Sequence, residues 1–158
     1  MKKLAIMRHA NASFEASSDF ERPLTEKGLS QTVESALELR SFLSPDKVLV
    51  SSARRTKMTA NTVAETLSWD NSSFVYDERL YNASLSKMLY VLEELDDEVN
   101  EVLLIAHNPG VSWLASHLCP ELIFGFSTGS FCVLEFDCET WEEALNGEAK
   151  LLKSFSPA

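Results

Sequence analysis

A chain of 158 residues with 45% apolar composition and a formal net charge of −10 can bury a core, and it lacks the basic balance that nucleic acid or an anionic membrane surface demands. No stretch approaches the roughly 20 apolar residues of a membrane span. The N-terminus lacks a signal peptide's apolar region and cleavage site, and Cys119, Cys132 and Cys138 are an odd number without metal-ligand spacing. These features predict a single cytoplasmic domain, residues 1–158, with reduced thiols and with neither nucleic acid nor membrane as partner.

Lys3 to Met7 is a short apolar run that reads as a buried strand. Arg8 and His9 follow where a parallel strand would end. Ligands of open α/β sheets bind beyond the carboxyl ends of the strands. A permanently charged fork beside an imidazole there suggests an anion site with a nucleophile or base. Taken alone, the plainer reading of solvated surface leads. Asn11 to Glu21 reads as a loop. Pro23 disfavours helix at Arg22, Thr25 is a good N-cap, and Glu26 suits a helix's positive end. Leu29, Val33, Ala36, Leu37 and Leu43 fall near helical spacing, which predicts a helix to about Phe42 that Ser44-Pro45-Asp46 stops.

Lys47 to Val50 is a second short apolar run, ending in Ser51-Ser52-Ala53-Arg54-Arg55. Thr56 to Leu67 reads as a helix with Met58, Thr62, Val63, Thr66 and Leu67 inward, and Trp69 to Ser72 as a turn. Phe74-Val75-Tyr76 is a weak strand and Glu78 to Ala83 a loop. Ser84 or Ser86 can cap a helix carrying Leu85, Met88, Leu89, Leu92 and Leu95. Glu101 to Ala106 is the clearest strand. It ends in His107-Asn108-Pro109-Gly110, before a short helix from Val111 to Leu118. Pro120 to Gly129 reads as a loop. Ser130 to Phe136 and Glu148 to Phe155 alternate like strands and, joined by a loop, predict an antiparallel pair at one edge. The alternation gives an α/β three-layer sandwich, a mainly parallel central sheet with helices on both faces and an antiparallel C-terminal edge.

Three apolar runs thus end in Arg8-His9, Arg54-Arg55 and His107. If those strands are parallel and adjacent, arginines and histidines crowd one rim, which is costly unless an anion neutralises them. A phosphoryl group fits: arginine forks match its oxygens, and helix starts after Arg55 and Gly110 add favourable dipole ends. A metal site is a poor rival, since there is no His-Glu-x-x-His, no Cys pair, and the surroundings are cationic. A Ser-His-Asp hydrolase would want a Gly-x-Ser-x-Gly elbow, which the sequence lacks.

Met7-Arg8-His9-Ala10 resembles the signature of the histidine phosphatase superfamily, the phosphoglycerate-mutase-like fold, with Ala10 where the usual motif has Gly. Leu24-Thr25-Glu26-Lys27-Gly28 resembles its Leu-Thr-x-x-Gly segment. Ser51 to Ala60 resembles its Ser-x-x-x-Arg-Ala-x-Gln-Thr-Ala segment, which puts the family arginine on Arg55 and leaves Met58 where Gln is usual. The second family histidine falls on His107. The matches run in order from the N-terminus to about Gly110. The small size, the Asp19…Arg22-Pro23-Leu24-Thr25 segment and the His107-Asn108-Pro109-Gly110 turn resemble the SixA-type phosphohistidine phosphatases.

The resemblance implies that His9 is the nucleophile. It must attack as the neutral ring, so its other nitrogen should bond to a backbone carbonyl. Arg8, Arg55 and His107 would hold the phosphoryl oxygens. Arg22 would either orient the substrate at the rim or form a buried structural ion pair with Asp19. Arg54 reads as solvated surface and His117 as an ordinary helix residue. Many family members carry a glutamate that protonates the leaving oxygen; Glu78 lies in the right region but lacks the surrounding pattern. A site without such an acid should favour P–N over P–O bonds, because imidazole leaves well and an alkoxide does not. The implied activity is a phosphatase acting on phosphohistidine in a protein, such as a phosphotransfer domain of a signalling relay, that releases phosphate and uses no cofactor or metal. A phosphatase of small phosphorylated metabolites or anhydrides, and a non-catalytic module that binds phosphorylated partners, are the alternatives. His9 disfavours the latter, since binding needs the arginines but no nucleophile.

Overall fold

The computed structural model describes residues 1–122 and 125–158. In chain order the elements are β1 (Lys2–Arg8), α1 (Glu26–Leu39), β2 (Lys47–Ser51), α2 (Arg54–Leu67), β3 (Phe74–Asp77), α3 (Leu85–Glu93), β4 (Glu101–Ala106), α4 (Gly110–Leu118), β5 (Phe131–Phe136), α5 (Trp141–Asn146) and β6 (Lys150–Phe155). The strands form one sheet in the order β3-β2-β4-β1-β5-β6. The first four run parallel, β5 pairs antiparallel with β1, and β6 antiparallel with β5. The predicted sandwich with its antiparallel edge is the architecture found.

Strand periodicity sorts the core into two layers. Leu4 and Ile6 of β1 face Met88, Leu92, Leu114, Leu118, Trp141 and Leu145 of α3, α4 and α5. Ala5 and Met7 face Ala36 and Leu39 of α1 with Ala60 and Val63 of α2. Both faces of β1 are therefore dry, which is why it reads as a continuous apolar run. Because β2, β4 and β1 are parallel neighbours, their carboxyl ends share one edge, and all the predicted site residues except Arg22 issue from that edge.

Four details differ from the sequence reading. On α1, Leu29, Val33 and Leu37 are exposed, at 39, 40 and 43%. The inner face instead carries Gly28, Gln31, Thr32, Ser35, Ala36 and Leu39. That face covers loop backbone, which must be hydrogen-bonded when buried. Gln31 Oε1 accepts from the Asn11 N–H at 2.9 Å, and Ser35 Oγ donates to the Gly129 carbonyl at 2.7 Å. The same helix ends at Leu39, short of Phe42. The helix α2 starts at Arg54, so both arginines lie in its first turn rather than before it, and Met58 is half-buried. The segment between the last two strands contains α5, capped by Thr140, whose Oγ1 accepts from the Glu143 N–H at 3.1 Å. Of the predicted loop from Pro120 to Gly129, Ile123 and Phe124 lie outside the described residues. Among the described residues no helix is long and apolar enough to cross a membrane.

Candidate active site

The two histidines emerge from neighbouring strands. Arg8 pairs with Ala106 in the β1–β4 register. The next backbone N–H, that of His9, donates to the Ala106 carbonyl at 3.1 Å. His107 follows on β4, and the two buried rings lie 5.3 Å apart between centroids. The His9 Nδ1–H donates to the Ala10 carbonyl at 2.7 Å. A carbonyl can only accept, so this bond puts the ring proton on Nδ1 and leaves Nε2 with the lone pair. Ala10 is fully buried where the family motif has Gly, and its N–H donates to Thr59 Oγ1 at 3.1 Å. On His107, Nε2 lies 2.7 Å from Ser51 Oγ at the end of β2, which fixes the rotation of the ring.

Arg8 reaches the Phe126 carbonyl through Nη1 at 2.9 Å. Arg55, only 4% exposed, donates from Nη1 to the Asp19 carbonyl at 2.7 Å and from Nη2 to Asp19 Oδ2 at 3.2 Å. Arg22 donates from Nε to the Ser13 carbonyl at 2.9 Å and from Nη1 to Asp19 Oδ1 at 3.3 Å. Arg22 thus makes the ion pair with Asp19 that was one of its two sequence readings, at the surface rather than buried, since the Asp19 side chain is half-exposed, and its charge lowers His9. Met58 Sδ accepts from the Leu24 N–H at 3.4 Å, which ties α2 to this loop. Gly28 meets the same loop; a Cβ there would lie 2.2 Å from the Asn11 carbonyl oxygen. This close approach, rather than any special dihedral, is what requires glycine. Arg54 is exposed, as read, His117 is an exposed residue of α4, and Glu78 is exposed in the turn after β3.

Burial, then the charges of Arg55, Arg8 and Arg22, pull His9 down to about 4 against the opposing bond to Ala10. His107 is pulled down to about 3 by burial, then by His9 and Arg55. Arg8 is lowered too, by burial and by Arg55. Both rings are thus neutral near pH 7 while the guanidinium groups stay charged. The N-termini of α2 and α4 open at the same edge, neither with an acidic first turn nor with a capping side chain. Among the described residues, the buried side-chain polar atoms without a hydrogen-bond partner are Arg8 Nε, Arg55 Nε, His107 Nδ1 and Ser52 Oγ. All belong to this rim. A cationic hole beside an unprotonated ring nitrogen suits a tetrahedral oxyanion and a nucleophilic displacement. No group of three or more His, Cys, Asp or Glu among the described residues could hold a metal ion.

A cleft of about 420 Å³ leads away from His107 between Asn82, Ser84, Pro109 and the half-exposed Trp113. Tyr81 stands beside it, edge-on to His107 with centroids 5.5 Å apart, and its hydroxyl donates to Asp19 Oδ2. Sequence reasoning missed Ser51, Thr59 and Tyr81 as site partners, together with the Phe126 carbonyl. Ser51 carried a faint signal as a small polar residue at a strand end; Tyr81 carried none.

The model of the histidine phosphatase superfamily (branch 1) matches residues 4–88. Phosphohistidine phosphatase SixA of Escherichia coli (strain K12) is 32% identical over 144 residues, covering 90% of this chain and 87% of that protein. The solved structure of the protein histidine phosphatase SixA complexed with tungstate has a TM-score of 0.83 at 29% identity, covering 98% of this chain and 97% of that one. A mycobacterial glucosyl-3-phosphoglycerate phosphatase shares the fold at a TM-score of 0.72 and 16% identity, over 100% of both chains. Motif order, site geometry and relatives agree: the chain belongs to the histidine phosphatase superfamily, branch 1.

Proposed function

We propose that this protein is a cytoplasmic, single-domain phosphatase that removes the phosphoryl group from phosphohistidine in a partner protein through a phospho-His9 intermediate. The observation that carries the reading is the His9 ring, locked by the Ala10 carbonyl so that Nε2 keeps its lone pair beside Arg8, Arg55 and His107. Nε2 attacks phosphorus, and the electron pair of the breaking P–N bond goes to the substrate ring nitrogen. Arg8, Arg55 and His107 hold the equatorial oxygens, where charge is carried through the transfer. Arg22 acts at the rim by seating the Asp19 loop. Water then cleaves phospho-His9 and phosphate departs. The related SixA structure is complexed with tungstate, a tetrahedral oxyanion, which supports the assignment of the hole. A protein substrate is supported by the E. coli relative, whose name is phosphohistidine phosphatase, and by the cleft opening beside exposed Trp113. A phosphotransfer domain of a signalling relay is the partner class this site would serve.

The test is trapping. Protein incubated with labelled phosphoramidate should carry acid-labile label on His9, and His9→Ala should carry none. A panel of phosphohistidine peptide, phosphoserine peptide and small phosphate esters should show preference for the first. Comparable turnover of phosphoserine would count against a phosphohistidine enzyme, and an unlabelled wild type would favour a binding module.

A further inference from the structure

Asp19 is out of place in an anion site. Its carboxylate lies on the very guanidinium that must receive the phosphoryl oxygens, with Oδ2 3.2 Å from Arg55 Nη2 and Oδ1 3.3 Å from Arg22 Nη1. The Tyr81 hydroxyl donates to the same Oδ2, and Tyr81 in turn borders His107. The side chain is 51% exposed, so it stands at the mouth rather than in the wall. A fixed negative charge there repels an incoming dianion. The carboxylate ties the loop to Arg22 and Tyr81, yet the loop's hold on Arg55 does not depend on it, because the Asp19 main-chain carbonyl accepts from Arg55 Nη1 at 2.7 Å.

A phosphorylated histidine supplies the reason. Protonated on its second nitrogen, the substrate ring is a phosphoimidazolium: cationic in the ring, anionic at the phosphoryl group. It leaves as neutral imidazole, whereas the unprotonated ring would have to leave as an anion. An alkoxide leaving group needs instead a proton delivered to its oxygen. Asp19 is held down at about 2, first by the Tyr81 hydroxyl and then by Arg22 and Arg55, so it carries no proton to deliver.

We propose that Asp19 is the specificity-determining residue for the leaving group: its carboxylate accepts a hydrogen bond from the ring N–H of the substrate phosphoimidazolium and so selects P–N over P–O substrates. The step balances without any proton changing hands. The His9 Nε2 lone pair forms the new N–P bond. The P–N pair returns to the substrate ring, whose positive charge vanishes while its N–H stays on Asp19. The charge reappears on phospho-His9, whose Nδ1–H is already bonded to the Ala10 carbonyl. This inference rests on the phosphohistidine reading above, which the wild-type rate on the peptide tests separately from the effect of the variants.

Asp19→Asn and Tyr81→Phe are compared with wild type on a phosphohistidine peptide and on p-nitrophenyl phosphate, whose phenolate leaves without help. Asp19→Asn should lower kcat/KM on the peptide by roughly 10- to 100-fold, the worth of a hydrogen bond to a charged group. On the aryl ester it should change by less than about 3-fold or rise, since Arg55 is freed for phosphate. Tyr81→Phe loosens the loop but keeps the carboxylate, so it should leave the ratio of the two substrates near the wild-type value. Equal losses on both substrates for Asp19→Asn, no loss on the peptide, or the same ratio change in Tyr81→Phe would each overturn the assignment. Labelling of His9 by phosphoramidate, run on the same proteins, reports separately on the covalent mechanism.

Discussion

Acidification should destabilise this fold in a window set by its two central rings. Folded, His9 titrates at about 4 and His107 at about 3; unfolded, each titrates near 6.5. Between those values the unfolded chain binds protons that the folded chain refuses, so stability is full above about pH 7 and is lost as pH falls from about 6.5 towards 4. Both residues are almost fully buried, at 6 and 5% exposure, so solvent screening does little to soften the effect. His9 alone withdraws on the order of 3 kcal/mol across the window. The pair together withdraws on the order of 6 kcal/mol by pH 4, comparable to the whole stability of a marginal domain. Asp19 adds nothing in this range: a carboxyl held at about 2 keeps its contribution until the pH drops below its ordinary value. The assay is urea unfolding at a series of pH values from about 8 to 4.5, for wild type and for the His9→Gln/His107→Gln double variant. The wild-type midpoint should fall through the window while that of the double variant stays nearly level. Parallel curves would mean that the rings ionise freely inside the fold and that His9 is not held neutral by burial.

Other substitutions probe the supports. Gly28→Ala drives a Cβ to 2.2 Å from the Asn11 carbonyl oxygen, so it should cost about 2 kcal/mol or more in urea unfolding and lower kcat by displacing the loop that carries Asp19. Thr59→Val leaves the buried Ala10 N–H unpaired and should cost about 1–3 kcal/mol, with a fall in kcat larger than any rise in KM as His9 loosens. Thr25→Ala removes the side-chain acceptor for the Gly28 N–H and should cost about 1 kcal/mol, read as a lower urea midpoint. Arg55→Lys keeps the charge but loses the fork; kcat/KM on phosphohistidine peptide should drop by roughly 100-fold.

The sheet was legible in the sequence because β1 and β4 are buried on both faces, which a short continuous apolar run bounded by polar residues reports. Arg8, His9 and His107 were readable for the same reason: they are the first polar residues after those runs. The inner face of α1 was hidden because Gln31 and Ser35 are buried by what they bond to, backbone at Asn11 and Gly129, far off in the chain. The start of α2 was hidden because Ala53 offers no capping side chain. Pairing of Asp19 with Arg22 could be weighed from spacing, but its contact with Arg55 depends on how the loop folds back over α2. The Phe126 carbonyl, which holds both Arg8 and the Asn108 amide, has no residue-type signal at all.

The hydrogen bond from His9 N–H to the Ala106 carbonyl has a consequence for how such enzymes diversify. Both rings follow directly on Arg8 and Ala106, the last paired residues of one parallel ladder, so a single sheet edge sets their spacing. Asp19, Tyr81 and Trp113 belong to connections and to a helix surface outside that ladder. Transplanting those outer pieces between relatives should re-aim the enzyme at a different leaving group while the phosphorus-handling pair keeps its spacing, so selectivity and chemical competence can be altered separately.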